Sequence, residues 1–410
     1  MSHQDRLTLA VVGGGAAGFF GAIASAERYP QHRVLLLEKS RQVLSKVRIS
    51  GGGRCNVTHA CFDSALLVKN YPRGNKELRG PFSRFQPKDT VEWFESRGVL
   101  LKTEEDGRIF PLTDQSETII HCFLKEAKRL GVELLLEHGI EDVIPLESGK
   151  FLLRLTNGTE LICDRVLIAT GSASKIYPIL QRLGHTTIPL VPSLFTFNIP
   201  NSPFLDLSGV SVSSASLRLP EWGLEEKGPL LLTHWGLSGP AVLKLSAWGA
   251  REMEAVEYKT PVIINWIPDI AMHNIQDVLS ESKRKLAAKQ VGTDPLFSLP
   301  KQLWKKLLIL AAIKEETRWS ILSNKQLEEL IKTLTAFSLT IQGKTTYKQE
   351  FVTSGGVACD EINFKTMESR RCRGLYFAGE VLNIDGITGG FNFQNAWTTS
   401  WIAGQSIFEI

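Results

Sequence analysis

The 410-residue sequence predicts an α/β fold, a parallel sheet flanked by helices, and three observations carry that prediction. Leu7 to Val12 is a short apolar run suited to burial on both faces, and it passes directly into Gly13-Gly14-Gly15-Ala16-Ala17-Gly18 and a helix-forming stretch, Phe19 to Arg28. A second apolar run, Val34 to Leu37, ends in Glu38, 20 residues beyond Gly18. Further strand-like runs ending in small-residue turns, Arg165 to Gly171 and Gly374 to Glu380, return the chain to similar ground.

Composition sets the outer limits. Hydrophobic residues make up 43% and charged residues 22%, enough for one large core or two to three smaller ones, and this excludes a disordered or disulfide-stapled chain. Lys plus Arg (47) against Asp plus Glu (43) leaves +4, which excludes a globally basic nucleic-acid binder while leaving room for a local basic patch. The six cysteines form no CxxC pair, so neither a metal site nor a redox pair is expected. No apolar run reaches the roughly 18 to 20 residues of a membrane helix, and the glycine-rich run from Leu7 to Ala26, preceded by Asp5, does not resemble a secretory signal. The expected compartment is the cytoplasm.

The first glycine turn has GxGxxG spacing between a strand and a helix. Gly13 permits the tight turn, Gly15 lets backbone approach a pyrophosphate, and Gly18 lets the helix lie close to the strand. The helix N-terminus adds unpaired N–H groups and about half a positive charge. Glu38 stands where a carboxylate receives ribose hydroxyls and repels a 2′-phosphate, so this site is expected to hold FAD or NAD rather than NADP.

Next along the chain comes Ser50-Gly51-Gly52-Gly53-Arg54-Cys55-Asn56-Val57-Thr58. Its glycines leave room for backbone against a flat ring, with Arg54 for phosphate or the ring edge and Asn56 for a hydrogen bond to the ring. Cys55 is a candidate proton donor or, alternatively, a buried structural cysteine. A hairpin, Phe151 to Ile162 around Asn157-Gly158, precedes the strand that ends in Ala169-Thr170-Gly171. This order resembles the glutathione-reductase-like flavoproteins, in which such a turn crosses beside the dinucleotide. Near the C-terminus, Gly379-Glu380 closes a strand, and Gly386 to Asn392 leads into a final helix. The resemblance implies that Glu380 lies near the ribityl or pyrophosphate groups. It also implies that Gly389, Gly390, Phe391 and Asn392 face the flavin N1 and O2 edge, where a helix N-terminus stabilises negative charge. Lys39 and Lys46 complete the expected cofactor set.

The SGGGRCNVT segment, Glu105 to Pro111 (EDGRIFP), Leu232 to Pro240 (LTHWGLSGP), Val352 to Val357 (VTSGGV) and Ala378 to Gly386 (AGEVLNIDG) together resemble signature blocks of the bacterial BaiN/RdsA-type FAD-dependent oxidoreductases, also described as YhiN-like or aminoacetone-oxidase-like. The resemblance covers nearly the whole chain. It implies a Rossmann-like, glutathione-reductase-like FAD domain formed by 1–190 and 346–410, an inserted β-rich domain of 191–267 and 335–345, and a nested helical insert of 268–334. Asn383 stands where the family usually has a carboxylate, so Asp385 takes the polar role. After Gly171 a glycine-rich segment usual in the family is shortened here.

In the middle of the chain, Pro189 to Leu194 has linker character, and helices are expected at Asp269–Lys289, Ser298–Leu310 and Ser323–Leu334, the last opened by a Ser323–Gln326 capping box. Two stretches carry excess positive charge. One contains Lys69, Arg73, Lys76, Arg79, Arg84 and Lys88 interleaved with Tyr71, Phe82 and Phe85, a pattern in which bases stack while phosphates are neutralised. The other holds Lys283, Arg284, Lys285, Lys289, Lys301, Lys305 and Lys306, and either one can equally be a solvated helix face.

A flavin supplies hydride chemistry, and the protein supplies position, polarity and a proton. The expected function is therefore an FAD-dependent oxidoreductase with NADH or NADPH as transient reductant. The family resemblance implies reduction of a carbon–carbon double bond, in a uracil of 23S ribosomal RNA or in a steroid ring. Candidate proton donors are Cys55, His234 and Tyr71. The alternatives are a small-metabolite oxidase or reductase, and a noncatalytic flavin-containing protein that binds RNA or the ribosome. The sequence leaves the oligomeric state open.

Overall fold

A computed structural model describes residues 6–345 and 352–409, so the domain start expected at 346 lies outside the described residues. The chain divides into two compact units, Met1–Pro192 with Lys348–Ile410, and Ser193–Tyr347.

The first unit is built on a seven-stranded sheet. Strand β1 (Thr8–Val12) lies between Arg165–Ile168 and β2 (Arg33–Glu38), in parallel register with both. Glu133–Leu136 extends the parallel array beyond β2, and Leu375–Phe377 extends it on the other side. Leu9, Ala10, Val11, Leu35 and Leu36 are fully buried, as expected of apolar runs covered on both faces. Helix α1 (Ala16–Arg28) packs against the C-terminal helix Phe391–Ser406. Small residues permit the approach: a Cβ on Gly404 would lie 2.8 Å from Ala24 Cβ. Phe20, Trp93, Phe123 and Trp397 form an aromatic cluster beside these helices. The expected hairpin is present, with the Asn157 side chain accepting from the Thr159 N–H at 3.1 Å and Gly158 at φ +82°.

Pro189 to Ser193 is not a linker. It belongs to the strand Thr187–Ser193, which pairs with Val352–Val357. Proline is tolerated in so small a sheet because a strand at an edge need not donate on its outer side. A Cβ on Gly355 would lie 2.4 Å from the Pro189 carbonyl oxygen, so only glycine fits there.

The second unit holds another seven-stranded sheet and the helices Met272–Lys285, Lys301–Leu310 and Asn324–Thr335. Ser323 and Gln326 form the expected capping box. Leu279, Trp304, Leu307, Leu330 and Leu334 share one apolar core with Leu217, Leu232 and Ile264 of the strands. The helical stretch 268–334 is thus distinct in chain order but has no separate core.

Candidate cofactor and active site

Backbone crowding fixes the glycine turn. Gly13 has φ +113°, and a Cβ there would sit 2.5 Å from the Ala169 carbonyl oxygen. A Cβ on Gly18 would sit 1.8 Å from the Gly13 oxygen. Beside Gly15, by contrast, the space is open. Gly15 caps α1 without a side-chain hydrogen bond, and the first turn contains no acidic residue. Its N–H groups therefore face an open cradle suited to an anion. Glu38 lies against the same turn. Its Oε2 accepts from the Gly14 N–H at 2.8 Å, and its Oε1 accepts from the Ser40 N–H and hydroxyl at 2.9 and 2.8 Å. Ser40, which the sequence motif does not mark, thus orients the carboxylate and leaves lone-pair capacity for ribose hydroxyls. Lys39 is exposed, with its Cβ toward Gly139.

A second group gathers around Glu380, three residues past the strand Leu375–Phe377. Its carboxylate takes Lys46 Nζ at 2.5 Å and the Thr353 N–H at 3.1 Å. A Cβ on Gly171 would lie 3.3 Å from Glu380 Oε2, and one on Gly379 would lie 3.0 Å from Ala17 Cβ. The structure therefore joins the Ala169-Thr170-Gly171 turn, Gly379-Glu380, Lys46 and the start of α1.

The third group is the glycine loop. After Ser50, residues Gly51, Gly52 and Gly53 take φ +58°, +69° and +85°, a left-handed run that glycine adopts without strain. No atom lies within 4 Å of a Cβ built on Gly52 or Gly53. Asn56 bridges to the C-terminal turn, donating to the Thr58 carbonyl and accepting from the Gly390 N–H, both at 3.0 Å. Gly390, at φ +93°, caps the helix Phe391–Ser406, whose first turn also lacks an acidic residue. Asn392 exchanges two 2.8 Å bonds with the backbone of Gly386. Next to Gly389, His59 stacks on Phe391 at 4.8 Å between ring centroids, a contact no motif announces.

Other expected residues are held by partners within the chain. Arg54 pairs with Glu104 at 2.6 Å and lies over the Phe110 ring at 4.0 Å. Cys55 is fully buried at φ +63°, and burial pushes its thiol up to about 12, against a smaller opposing effect of a hydrogen bond with Ser50. A group with that affinity for its proton is poorly matched to acid catalysis near neutrality. Tyr71 is also fully buried, and its hydroxyl donates to the Phe391 carbonyl at 2.7 Å. Phe82 and Phe85 are buried as well, so none of these three aromatics is available for base stacking. Arg73 makes a two-pronged ion pair with the fully buried Asp385, and Arg84 donates to the Lys365 carbonyl. Lys88 lies 3.8 Å from Glu92. Lys69, Lys76 and Arg79 are exposed and have no ion pair among the described residues. His234 is exposed in the second unit, in the turn joining Leu224–Thr233 to Gly236–Ser238, edge-on to Trp235.

The residues present fit an extended dinucleotide. The first turns of both helices lack an acidic residue, and Gly15, Gly52 and Gly53 leave open space. Nor do the described residues contain a group of three or more His, Cys, Asp or Glu able to hold a metal, or a helix long and apolar enough to cross a membrane.

A Rossmann-type sheet with this turn, this carboxylate and a C-terminal helix returning to the same site defines an FAD-dependent oxidoreductase. Residues 7–406 match the HI0933-like protein Rossmann domain, and the chain belongs to that family. It is 30% identical to the 3-dehydro-bile acid delta(4,6)-reductase of Clostridium scindens, over 98% of this chain and 99% of that one. It is also 30% identical to the ribosomal RNA dihydrouridine synthase of Escherichia coli, over 98% of both chains. Among solved structures it is similar to the 3-ketosteroid-delta4-(5alpha)-dehydrogenase of Rhodococcus jostii RHA1, with TM-score 0.48, 12% identity, and coverage of 99% and 98%.

Proposed function

We propose that this protein uses NADH or NADPH to reduce a carbon–carbon double bond, with uridine in 23S ribosomal RNA as the substrate and dihydrouridine as the product. The observation that carries this reading is the anchoring of the first basic segment. Tyr71 and Arg73 tie it to Phe391 and Asp385, on either side of the turn that opens the C-terminal helix, while Lys69, Lys76 and Arg79 have no ion pair among the described residues. Free cations are thereby held beside the cofactor site, where an RNA backbone needs neutralising. The relative named as a ribosomal RNA dihydrouridine synthase supports ribosomal RNA as the substrate class.

When bound, FAD supplies the hydride-transferring ring. The chain's own residues do the rest. The first turn of α1 and Glu38 bind phosphate and ribose, Lys46 and Glu380 hold the middle of the site, and the N-terminus of the helix Phe391–Ser406 favours negative charge at Gly390 and Phe391. The overall change adds a hydride to C6 and a proton to C5 of uracil and oxidises one NADH or NADPH. Cys55 and Tyr71 are locked in the framework, so neither is the proton donor in this reading.

The test is NADH or NADPH oxidation by the purified flavoprotein with and without 23S ribosomal RNA. Oxidation that depends on RNA and yields dihydrouridine is expected. A second reading, reduction of a steroid-like small molecule, is favoured by equal identity to the bile-acid reductase. Turnover of such a substrate with no response to RNA would establish it instead.

A further inference from the structure

One edge of the first unit's seven-stranded sheet carries cations that no sequence motif marks. The outer strand, Ile362–Asn363, turns through Lys365 into Glu368–Ser369, and a second turn holding Arg370, Arg371 and Arg373 leads into Leu375–Phe377. All four cations are exposed. The nearby carboxylates are largely spent within the fold. Glu361 is buried, accepts from the Thr186 N–H at 2.8 Å and pairs with Arg371 at 3.2 Å. Glu368 accepts from the Gly374 N–H at 2.8 Å, which leaves Asp360 as the exposed acid of this stretch. Lys365, Arg370 and Arg373 have no ion pair among the described residues.

The second turn is held from below. Ser369 Oγ accepts from the N–H groups of Arg371 and Cys372 at 2.9 and 2.8 Å and meets His185 Nε2 at 2.8 Å. Arg370 lies back over the outer strand, its Nε donating to the Ile362 carbonyl at 3.2 Å. Charged side chains on an outer strand discourage pairing with another chain, and that accounts for Arg370 and Arg371. It does not account for Lys365 and Arg373, which sit in the flanking turns.

Arg84 joins this edge to the first basic segment. Its guanidinium donates to the Lys365 carbonyl and lies 5.8 Å from the ring of Trp401, a partly exposed residue stacked on Phe85. An aromatic face beside unpaired cations suits a nucleic-acid strand, because a base can stack where phosphates are neutralised.

We propose that the turns around Lys365 and Arg373 continue the RNA-binding surface from Arg84 along the sheet edge, gripping backbone phosphates of nucleotides other than the one reduced. The inference deepens the RNA reading above and rests on it. Such contacts fix the position of the RNA and carry no sequence preference of their own.

The experiment measures binding of unmodified 23S ribosomal RNA to the FAD-loaded protein over a series of salt concentrations. It compares wild type, Lys365→Ala with Arg373→Ala, and the triple variant that adds Arg370→Ala. Neither Lys365 nor Arg373 spends its side chain on a hydrogen bond or ion pair among the described residues, so the double variant should keep the wild-type thermal midpoint and flavin spectrum. Its slope of log affinity against log salt should be shallower by about 1.5, and that of the triple variant by about 2. An unchanged slope in the double variant, with wild type binding RNA, overturns the proposal and leaves Lys69, Lys76 and Arg79 as the RNA surface. A slope lost together with the fold or the flavin also overturns it, because the turns would then serve the structure. If wild type binds 23S ribosomal RNA without salt dependence, or not at all, the RNA reading fails and this inference with it.

Discussion

Two stretches of this chain look alike in sequence, Lys69–Lys88 in the first unit and Lys283–Lys306 in the second, and the structure treats them differently. In the second stretch, Lys285 pairs with Glu281 at 2.6 Å, Lys289 with Asp294 at 3.1 Å, Lys306 with Asp206 at 2.8 Å, and Lys305 with Glu315. Lys283 donates to the Leu322 carbonyl, while the exposed Arg284 and Lys301 have no ion pair among the described residues. In the first, Arg73 turns inward, the exposed Arg84 donates to the Lys365 carbonyl, and Lys69, Lys76 and Arg79 face solvent with no ion pair among the described residues. Charge content therefore does not tell paired cations from unpaired ones; the location of each partner does.

The strongest way to break the contrast is Arg73→Ala. It strips a fully buried carboxylate of its counter-ion, and losses of about 3–5 kcal/mol are usual for that change. Chemical denaturation should show it, whereas a loss below about 1 kcal/mol would place Arg73 with the surface charges. Replacing Lys69, Lys76 and Arg79 together by Ala should leave stability nearly unchanged and reduce the salt slope of RNA binding by roughly 2 to 3. An unaltered slope would remove this segment from the RNA surface.

Cys55, in the glycine loop of the first unit, sharpens the contrast between framework and working surface. Cys55→Ala should keep substrate reduction near neutral pH within about tenfold, and a larger loss with FAD still bound would restore the thiol to the mechanism. The folded thiol titrates near 12, above its unfolded value of about 8.5, so its contribution to stability is complete below about 8.5 and is lost as pH rises through 12. The alanine variant should lack that share of the alkaline decline in denaturation measurements. The smallest effect is expected from Lys285→Ala with Lys289→Ala and Lys305→Ala: stability within about 0.5 kcal/mol for each exposed pair and no change in RNA salt slope.

Much of the cofactor site was legible because its signals are local. The turn Gly13 to Gly18 and Glu38 lie within one strand–helix–strand unit, and the contacts of Gly13 and Gly18 account for both glycines. The Ser323–Gln326 cap was legible for the same reason. What sequence reasoning missed depends on partners far along the chain. Arg73 finds Asp385 and Tyr71 finds Phe391 more than 300 residues away, and nothing local distinguishes such side chains from exposed ones. The linker expected at Pro189 to Leu194 became a strand because Val352–Val357 supplies a partner.

The proposed reaction is tested at its product by mass spectrometry of nucleosides from 23S ribosomal RNA, in cells with and without this gene. RNA reduction predicts that a dihydrouridine present in the parent disappears in the deletion strain and returns when the gene is restored. An unchanged dihydrouridine content would contradict it and turn the search to small-molecule substrates.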